Sequence, residues 1–427
     1  MQTRHIAEKH ITASDLGLQA ATRLLESLEV ERESIDALIF VTQSPDYFCP
    51  ASACYLQGKL GLSQSCLSFD INQACAGYLY GLYVAHSLCD SGSANRVLLI
   101  VGDTLSKFVN PLDSNLAPMM GDGVSATLLE RNLAGHSACG DFLGNAAPTS
   151  LRRMSNLQVW ISPTATSPHS LTLHNPKNSS TILECQDSND TESRADSTKL
   201  ESSNTTNAAA EGFLSDFSGF GAKGEGSLLN ANDRALSEQS AKSTKKPTQN
   251  KHYFELGSDG SKFHQLIIPQ GACRIPTKEI ITDSKIWQTS ETRSLKDLYM
   301  DGAEIFSFAV SAYPKTFQGI IDYAQCDKDR IDYFFFHQAN KYIVDNITRS
   351  LGLPKEKVPN TTTNKYGNLS GCSIPATICD TLAGLASNGL ETPLRVHLAG
   401  FGAGLAWGNA VVTLDKGFKC QKVGIYE

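Results

Sequence analysis

The sequence predicts an α/β protein built from two related halves, and three observations carry that prediction. Helical and strand-like hydrophobic patterns alternate from residue 11 to 130 and again from 253 to 416. Their order is the same in both stretches: helix, strand, helix, strand, helix, strand, strand. Between them, residues 131–252 change character, being rich in Ser, Thr, Asn and charge and poor in aromatic residues. Alternating elements predict layered sheets with helices on their faces, and the repetition predicts a duplicated plan. A site shared by the halves would lie where they meet.

In the first half (1–130), "SDLGLQAATRLLESL" places Leu18, Ala21, Leu25 and Leu28 on one helical face, with Ser14 as N-cap. "DALIFVTQ" is short, continuous and apolar, the pattern of a buried strand. "SACYLQGKLGL" reads as a helix, "CLSFDIN" as a strand, and "AGYLYGLYVAHSLCDSG" as a helix closing near Gly92. "RVLLIVGD" and "GVSATLLE" are the last two strands. In the second half (253–427), "FHQLIIPQG" reads as an opening strand and "GAEIFSFAVSAYPKTFQGIIDYA" as a helix. "IDYFFFHQA" is a strand that falls at the same place in the plan as "IDALIFVTQ" does in the first half. "NKYIVDNITRSLGL" and "IPATICDTLAGLA" are helices, the second ended by Gly389, and "LRVHLAGFGAGLAWGNAVVTL" supplies two closing strands.

The polar stretch 131–252 cannot bury enough apolar surface to offset the entropy of ordering. It predicts an insertion that is mostly disordered from about residue 140 to 250. Short apolar islands within it, such as "LQVWI", are candidates to dock on the folded part. Replacing 150–245 by a linker is therefore expected to leave the chemistry intact.

The net charge of −7 and the lack of a basic stripe argue against a general nucleic-acid binder. The twelve cysteines are scattered, with no CxxC pair and no zinc-like spacing, so no metal site is expected. "MQTRHIAEKH" lacks the apolar core of a signal peptide, and no apolar run approaches the roughly 20 residues that span a bilayer. The expectation is a cytoplasmic protein with free thiols. The sequons at Asn178 and Asn204 are then incidental.

Cys75 stands between an apolar strand and the opening of a helix. Backbone N–H groups and the positive helix end would favour a thiolate there. The competing reading is a buried structural cysteine, the commoner fate of that residue type. His337 ends a strand, and Asn368 sits in the Gly-rich turn "NKYGNLSG". Both can donate hydrogen bonds to a developing oxyanion, although each also has an ordinary role as a capping or turn residue. "GFGAKG" at 219–224 fits a dinucleotide pattern but lacks the preceding strand that pattern needs. "GFGAG" at 400–404 joins two strands, and its glycines suit close approach of backbone to a ligand.

Taken together, these segments resemble the β-ketoacyl-acyl carrier protein synthase III family of the thiolase superfamily. The resemblance rests on "INQACAGYLYGL", "GDGVSATLLE", "LGSDGSKF", "HQAN", "YGNLSG" and "GFGAGLAWGNAVV", in that order. It covers nearly everything outside the insertion. It implies a thiolase-like fold of two βαβαβαββ halves in α/β/α/β/α layers, working as a homodimer without a bound cofactor. It also implies a triad of Cys75, His337 and Asn368. Cys75 would take an acyl group from coenzyme A, and His337 and Asn368 would hold the thioester carbonyl of malonyl-acyl carrier protein as it loses carbon dioxide. The backbone N–H groups of Cys75 and Ala403 would form a second oxyanion hole. Cys49, Asn340 and Phe401 would line the substrate site.

Three departures from the family pattern stand out. Ala403 replaces a usual glycine, which is harmless where only its backbone acts. Cys49 replaces a bulky aromatic, which suggests a primer longer than acetyl. The first half also opens at its helix, without the strand that begins the second half. That strand is expected to be central, so its neighbours would be left with unpaired backbone groups, and the chain is expected to be a fragment of the working enzyme. Two rival readings remain: a transferase that moves the acyl group to an alcohol or amine, and an inactive paralogue that acts as a partner protein.

Overall fold

The computed structural model describes residues 3–131, 152–161, 252–278 and 293–426. Helix α1 (Ala13–Ser27) is opened by Thr12 rather than Ser14. Thr12 and Asp15 exchange side-chain-to-backbone hydrogen bonds in a capping box, which satisfies two otherwise orphaned N–H groups. The buried face of α1 runs through Leu16, Ala20, Ala21, Leu24 and Leu25, so Leu18 and Leu28 lie at its margin. Next come β1 (Ala37–Val41), α2 (Ser52–Leu60), β2 (Leu67–Ile71), α3 (Gly77–Asp90), β3 (Arg96–Asp103) and β4 (Gly123–Arg131). Strand β1 lies between β2 and β3, parallel to both. All five of its residues are buried, as an unbroken apolar run requires of a strand covered on both faces.

Part of the stretch read as an insertion is built into the sheet. Strand β5 (Arg152–Ile161) runs antiparallel along the outer edge of β4, from Gly123↔Ile161 to Arg131↔Arg152. Its alternate residues Leu157, Val159 and Ile161 are buried in the central core, as the two-residue period of a strand dictates. The island "LQVWI" therefore docks, so the segment 150–245 contains a strand of the sheet. Residues 132–151 and 162–251, including "GFGAKG" and the sequons at Asn178 and Asn204, lie outside the described residues.

The second half opens with β6 (Tyr253–Ser258), not with "FHQLIIPQG". Its first three residues end a 3-10 turn over Gly260–Gln265, begun by an Asp259 side-chain cap. Only β7 (Leu266–Ile267) is extended, in a two-residue ladder with β8 (Tyr299–Met300). Pro269 offers no N–H to lengthen it. The remaining elements are α4 (Gly302–Tyr323), β9 (Tyr333–Phe336), α5 (Lys341–Ser350), α6 (Thr362–Tyr366), α7 (Ser373–Ala386), β10 (Leu394–Gly402), β11 (Ala406–Cys420) and β12 (Gly424–Ile425).

The strands follow the order β2-β1-β3-β4-β5-β11-β10-β9, with β6 also paired to β11 and β12 to β5. Antiparallel β6 lies on β11 as antiparallel β5 lies on β4. In the first half, the place of the opening strand is thus taken by a strand that follows β4 in the chain, and the edge expected to be unpaired is paired. Three cores set the layers. Helices α1 and α2 cover one face of the first sheet, α3 and α7 fill the middle, and α4 and α5 cover the far face of the second sheet. Side-chain alternation shows the same division: Phe335 faces the middle core while Phe334 and Phe336 face α4 and α5. This is the α/β/α/β/α arrangement of the thiolase-like fold. Among the described residues no helix is long and apolar enough to cross a membrane.

Candidate active site

Cys75 lies in the short connection from β2 to α3 and is only 9% exposed. The end of β10 passes directly against it. A Cβ placed on Gly402 would lie 2.7 Å from the Cys75 Cβ and 3.0 Å from its sulfur, and one on Gly400 would lie 2.8 Å from the Cys75 carbonyl oxygen. Contacts this short exclude any side chain at those two positions, which explains the glycines of "GFGAG". Burial pushes the Cys75 thiol up to about 12. A hydrogen bond with Ser370 works against that rise, and the charge of Asp103 adds to it. The expected low-pKa thiolate is therefore corrected: desolvation of a buried thiol outweighs the field of one helix end.

His337 follows β9, and its N–H donates to the Ala399 carbonyl at 2.7 Å. The side chain is 1% exposed, and burial lowers its pKa to about 4. A hydrogen bond with the Ser370 main chain opposes that shift only in part. The ring is neutral near pH 7 and carries one N–H, and its Nδ1 is buried without a hydrogen-bond partner among the described residues. Asn368 is fixed between two backbone hydrogen bonds, from its N–H to Met119 at 2.7 Å and from Gly121 to its carbonyl at 3.0 Å. Its side-chain Oδ1 accepts the Ser370 N–H at 3.0 Å. That bond decides which way the amide faces and leaves Nδ2 as the outward donor.

Ser370 thus joins all three residues of the expected triad. Its hydroxyl is 3.9 Å from the Cys75 sulfur, its main chain binds His337, and its N–H holds Asn368. It does so in the left-handed region, at φ +51°, which is rare for a serine. Behind it lies Asp103, the last residue of β3, which is 2% exposed. Neither residue was singled out from the sequence. The signal for Asp103 was present, as one acid closing the apolar run of "RVLLIVGD".

The other expected site residues are more scattered. Ala403 stands in the turn between β10 and β11, next to Gly404. Phe401 is 3% exposed and meets the His337 ring edge to face, with centroids 5.6 Å apart. Asn340 is the N-cap of α5, its Oδ1 accepting the Ile343 N–H at 2.8 Å, so its carbonyl already has a structural task. Cys49 is exposed beside Phe48, itself 88% exposed. Among the described residues no cluster of three His, Cys, Asp or Glu side chains could hold a metal ion.

Comparison with known proteins places this geometry in a family. The 3-oxoacyl-[acyl-carrier-protein (ACP)] synthase III profile matches residues 69–145, and its C-terminal counterpart matches 321–414. A Campylobacter jejuni protein that bears the 3-oxoacyl-[acyl-carrier-protein] synthase 3 name provisionally is 37% identical over 414 residues, covering 96% of this chain and 82% of the relative. The beta-ketoacyl-[acyl-carrier-protein] synthase III of Rhodopirellula baltica is 30% identical over 411 residues, covering 96% and 87%. The crystal structure of a 3-oxoacyl-(acyl-carrier protein) synthase from Burkholderia xenovorans superposes with a TM-score of 0.64 at 27% identity, covering 99% of this chain and 85% of that one. The chain belongs to the 3-oxoacyl-[acyl-carrier-protein] synthase III family of condensing acyltransferases.

Proposed function

We propose that the protein condenses an acyl primer, delivered as a coenzyme A thioester, with a malonyl group carried on acyl carrier protein. Cys75 attacks the primer carbonyl, the bond to coenzyme A breaks, and the acyl group is held as a thioester on Cys75. Malonyl-acyl carrier protein then loses carbon dioxide. Its thioester oxygen gains negative charge, which the neutral His337 ring and the Asn368 Nδ2 stabilise as preorganised donors. The carbanion attacks the acyl-Cys75 carbonyl, whose oxygen is held by the N–H groups of Cys75 and Ala403, and the thiol is released. The protein would act as a homodimer in the cytoplasm.

The observation that carries this reading is the grip of Ser370 on Asn368. With Oδ1 occupied by the Ser370 N–H, the amide can only donate toward the site, as enolate stabilisation requires. Transfer to an alcohol or amine needs no such donor, and an inactive partner protein needs none of the triad. Incubation with short and medium acyl-coenzyme A should give one mass adduct on the intact protein, absent in Cys75→Ala. An adduct that survives in that variant, on another of the twelve cysteines, would falsify the assignment.

A further inference from the structure

We propose that Asp103 accepts the Cys75 thiol proton through the Ser370 hydroxyl and returns it when the acyl group leaves. This deepens the proposed function and rests on the reading of Cys75 as the acylated residue. Asp103 Oδ1 accepts from the Thr42 hydroxyl at 2.9 Å, the Gln43 N–H at 2.6 Å and the Ser44 hydroxyl at 3.3 Å. The Ser370 hydroxyl also hydrogen-bonds this carboxylate. Each of these partners is neutral. The titratable groups that act on Asp103 or feel it are the thiols of Cys75 and Cys372.

The direction of the chain follows from hydrogen-bond chemistry. Burial raises the Asp103 pKa; once ionised, its carboxylate only accepts, so the Ser370 proton then points at Asp103. The lone pairs of Ser370 Oγ are then free for the Cys75 S–H, 3.9 Å away. A proton can move from sulfur to Oγ while the Ser370 proton moves to Asp103. Electrostatics favours this route over release of the proton to water. Ionising Cys75 alone would set a second anion beside Asp103 in a buried place, where like charges oppose each other strongly. The relay moves one negative charge and adds none. His337 cannot take this part easily, because burial holds its ring neutral and makes it a weak base.

The protons balance over the cycle. In loading, Sγ bonds the primer carbonyl carbon, coenzyme A leaves as a thiolate and takes a proton from water, and Asp103 keeps the thiol proton. In condensation, the carbanion displaces Sγ, and Asp103 returns its proton through Ser370 to the reforming thiol.

The test is the pH dependence of Cys75 loading on the full chain, followed by mass spectrometry with acyl-coenzyme A and, in parallel, with p-nitrophenyl acetate. In the wild type, loading should rise with the ionisation of a carboxyl group and then level off. Asp103→Asn should load about a hundred- to ten-thousand-fold more slowly at pH 7, the range expected for loss of a general base, and should recover steadily with rising pH. If Asp103 acts only as a neighbouring charge, the sign reverses: its removal eases ionisation of Cys75, and the variant loads faster. Loading in Asp103→Asn as fast as wild type, or faster, overturns the relay. Ser370→Gly decides the matter should Asp103→Asn fail to fold, because it removes the hydroxymethyl side chain while keeping the N–H to Asn368 and a residue suited to the left-handed backbone. It should show the same slow, steadily rising profile. Loading by p-nitrophenyl acetate with this pH behaviour, but by no acyl-coenzyme A, would keep the relay and remove the proposed substrate.

Discussion

At the scale of single residues, the proposed function gives Asn368 and His337 a part separable from acyl loading. If both serve the malonyl oxyanion as proposed, Asn368→Ala should lose condensation by roughly ten- to a thousand-fold while Cys75 still takes up its acyl group. Carbon dioxide release from malonyl-acyl carrier protein measures the first effect and intact mass the second. Condensation at the wild-type rate would favour the transferase reading. His337 also ties stability to pH. Its folded-state pKa is about 4 against 6.5 for a free ring, so the folded protein refuses a proton that the unfolded chain accepts. Its contribution is intact above pH 6.5 and is lost as pH falls toward 4. The shift corresponds to about 3 kcal/mol. Buried Asp103 and Asp122 are raised by desolvation and act in the opposite sense, so the effect must be read as a difference. The stability gap between the wild type and His337→Gln, from urea midpoints, should narrow by about that amount between pH 7 and pH 4. A constant gap would mean that the ring is protonated in the folded state.

At the scale of elements, the strands and helices with strong local patterns were legible, and those defined by distant partners were not. Strands β1, β3 and β9 are largely apolar runs, and α3 and α7 turn broad apolar faces into the middle core. Cys75 lies between β2 and α3 and His337 just after β9, as those patterns imply, and Asn368 lies in the turn that follows α6. Ser370 and Asp103 were missed because their roles arise from proximity across 267 positions of sequence (370 − 103), which no local pattern records. Strand β5 was hidden for a related reason. Its polar start gives no periodic signal, and its extended form comes from pairing with β4 and β11. "FHQLIIPQG" erred the other way, being apolar enough for a strand but given only a two-residue partner. If β5 belongs to the core, Leu157→Ala should cost about 2–5 kcal/mol, as for a fully buried leucine, seen as a lower urea midpoint with unchanged slope. A loss below about 0.5 kcal/mol, the size typical of surface changes, would mean that the strand adds little.

At the scale of the whole molecule, the question is how much of 131–252 the fold uses. Composition argues that most of it cannot form a core, while β5 supplies three buried side chains and pairs the edge of β4. The two statements predict different outcomes for two deletions. Replacing 167–246 by a short Gly/Ser linker leaves β5 in place. The entropic cost of closing the loop changes only slowly with its length, so stability should shift by little more than about 1 kcal/mol. Cys75 loading and the assembly seen by size-exclusion chromatography should also persist. Replacing 150–246 removes β5 as well and exposes the backbone groups of β4 along an edge that is otherwise buried. Each unpaired buried group costs on the order of 1–3 kcal/mol, so several together approach the whole margin of about 5–15 kcal/mol that holds a domain folded. The longer deletion should therefore yield aggregated protein that takes up no acyl group. If the longer deletion folds and loads like the wild type, β5 is dispensable and β4 can form a tolerated edge. If the shorter one fails, residues 167–246 contribute to the fold despite their composition.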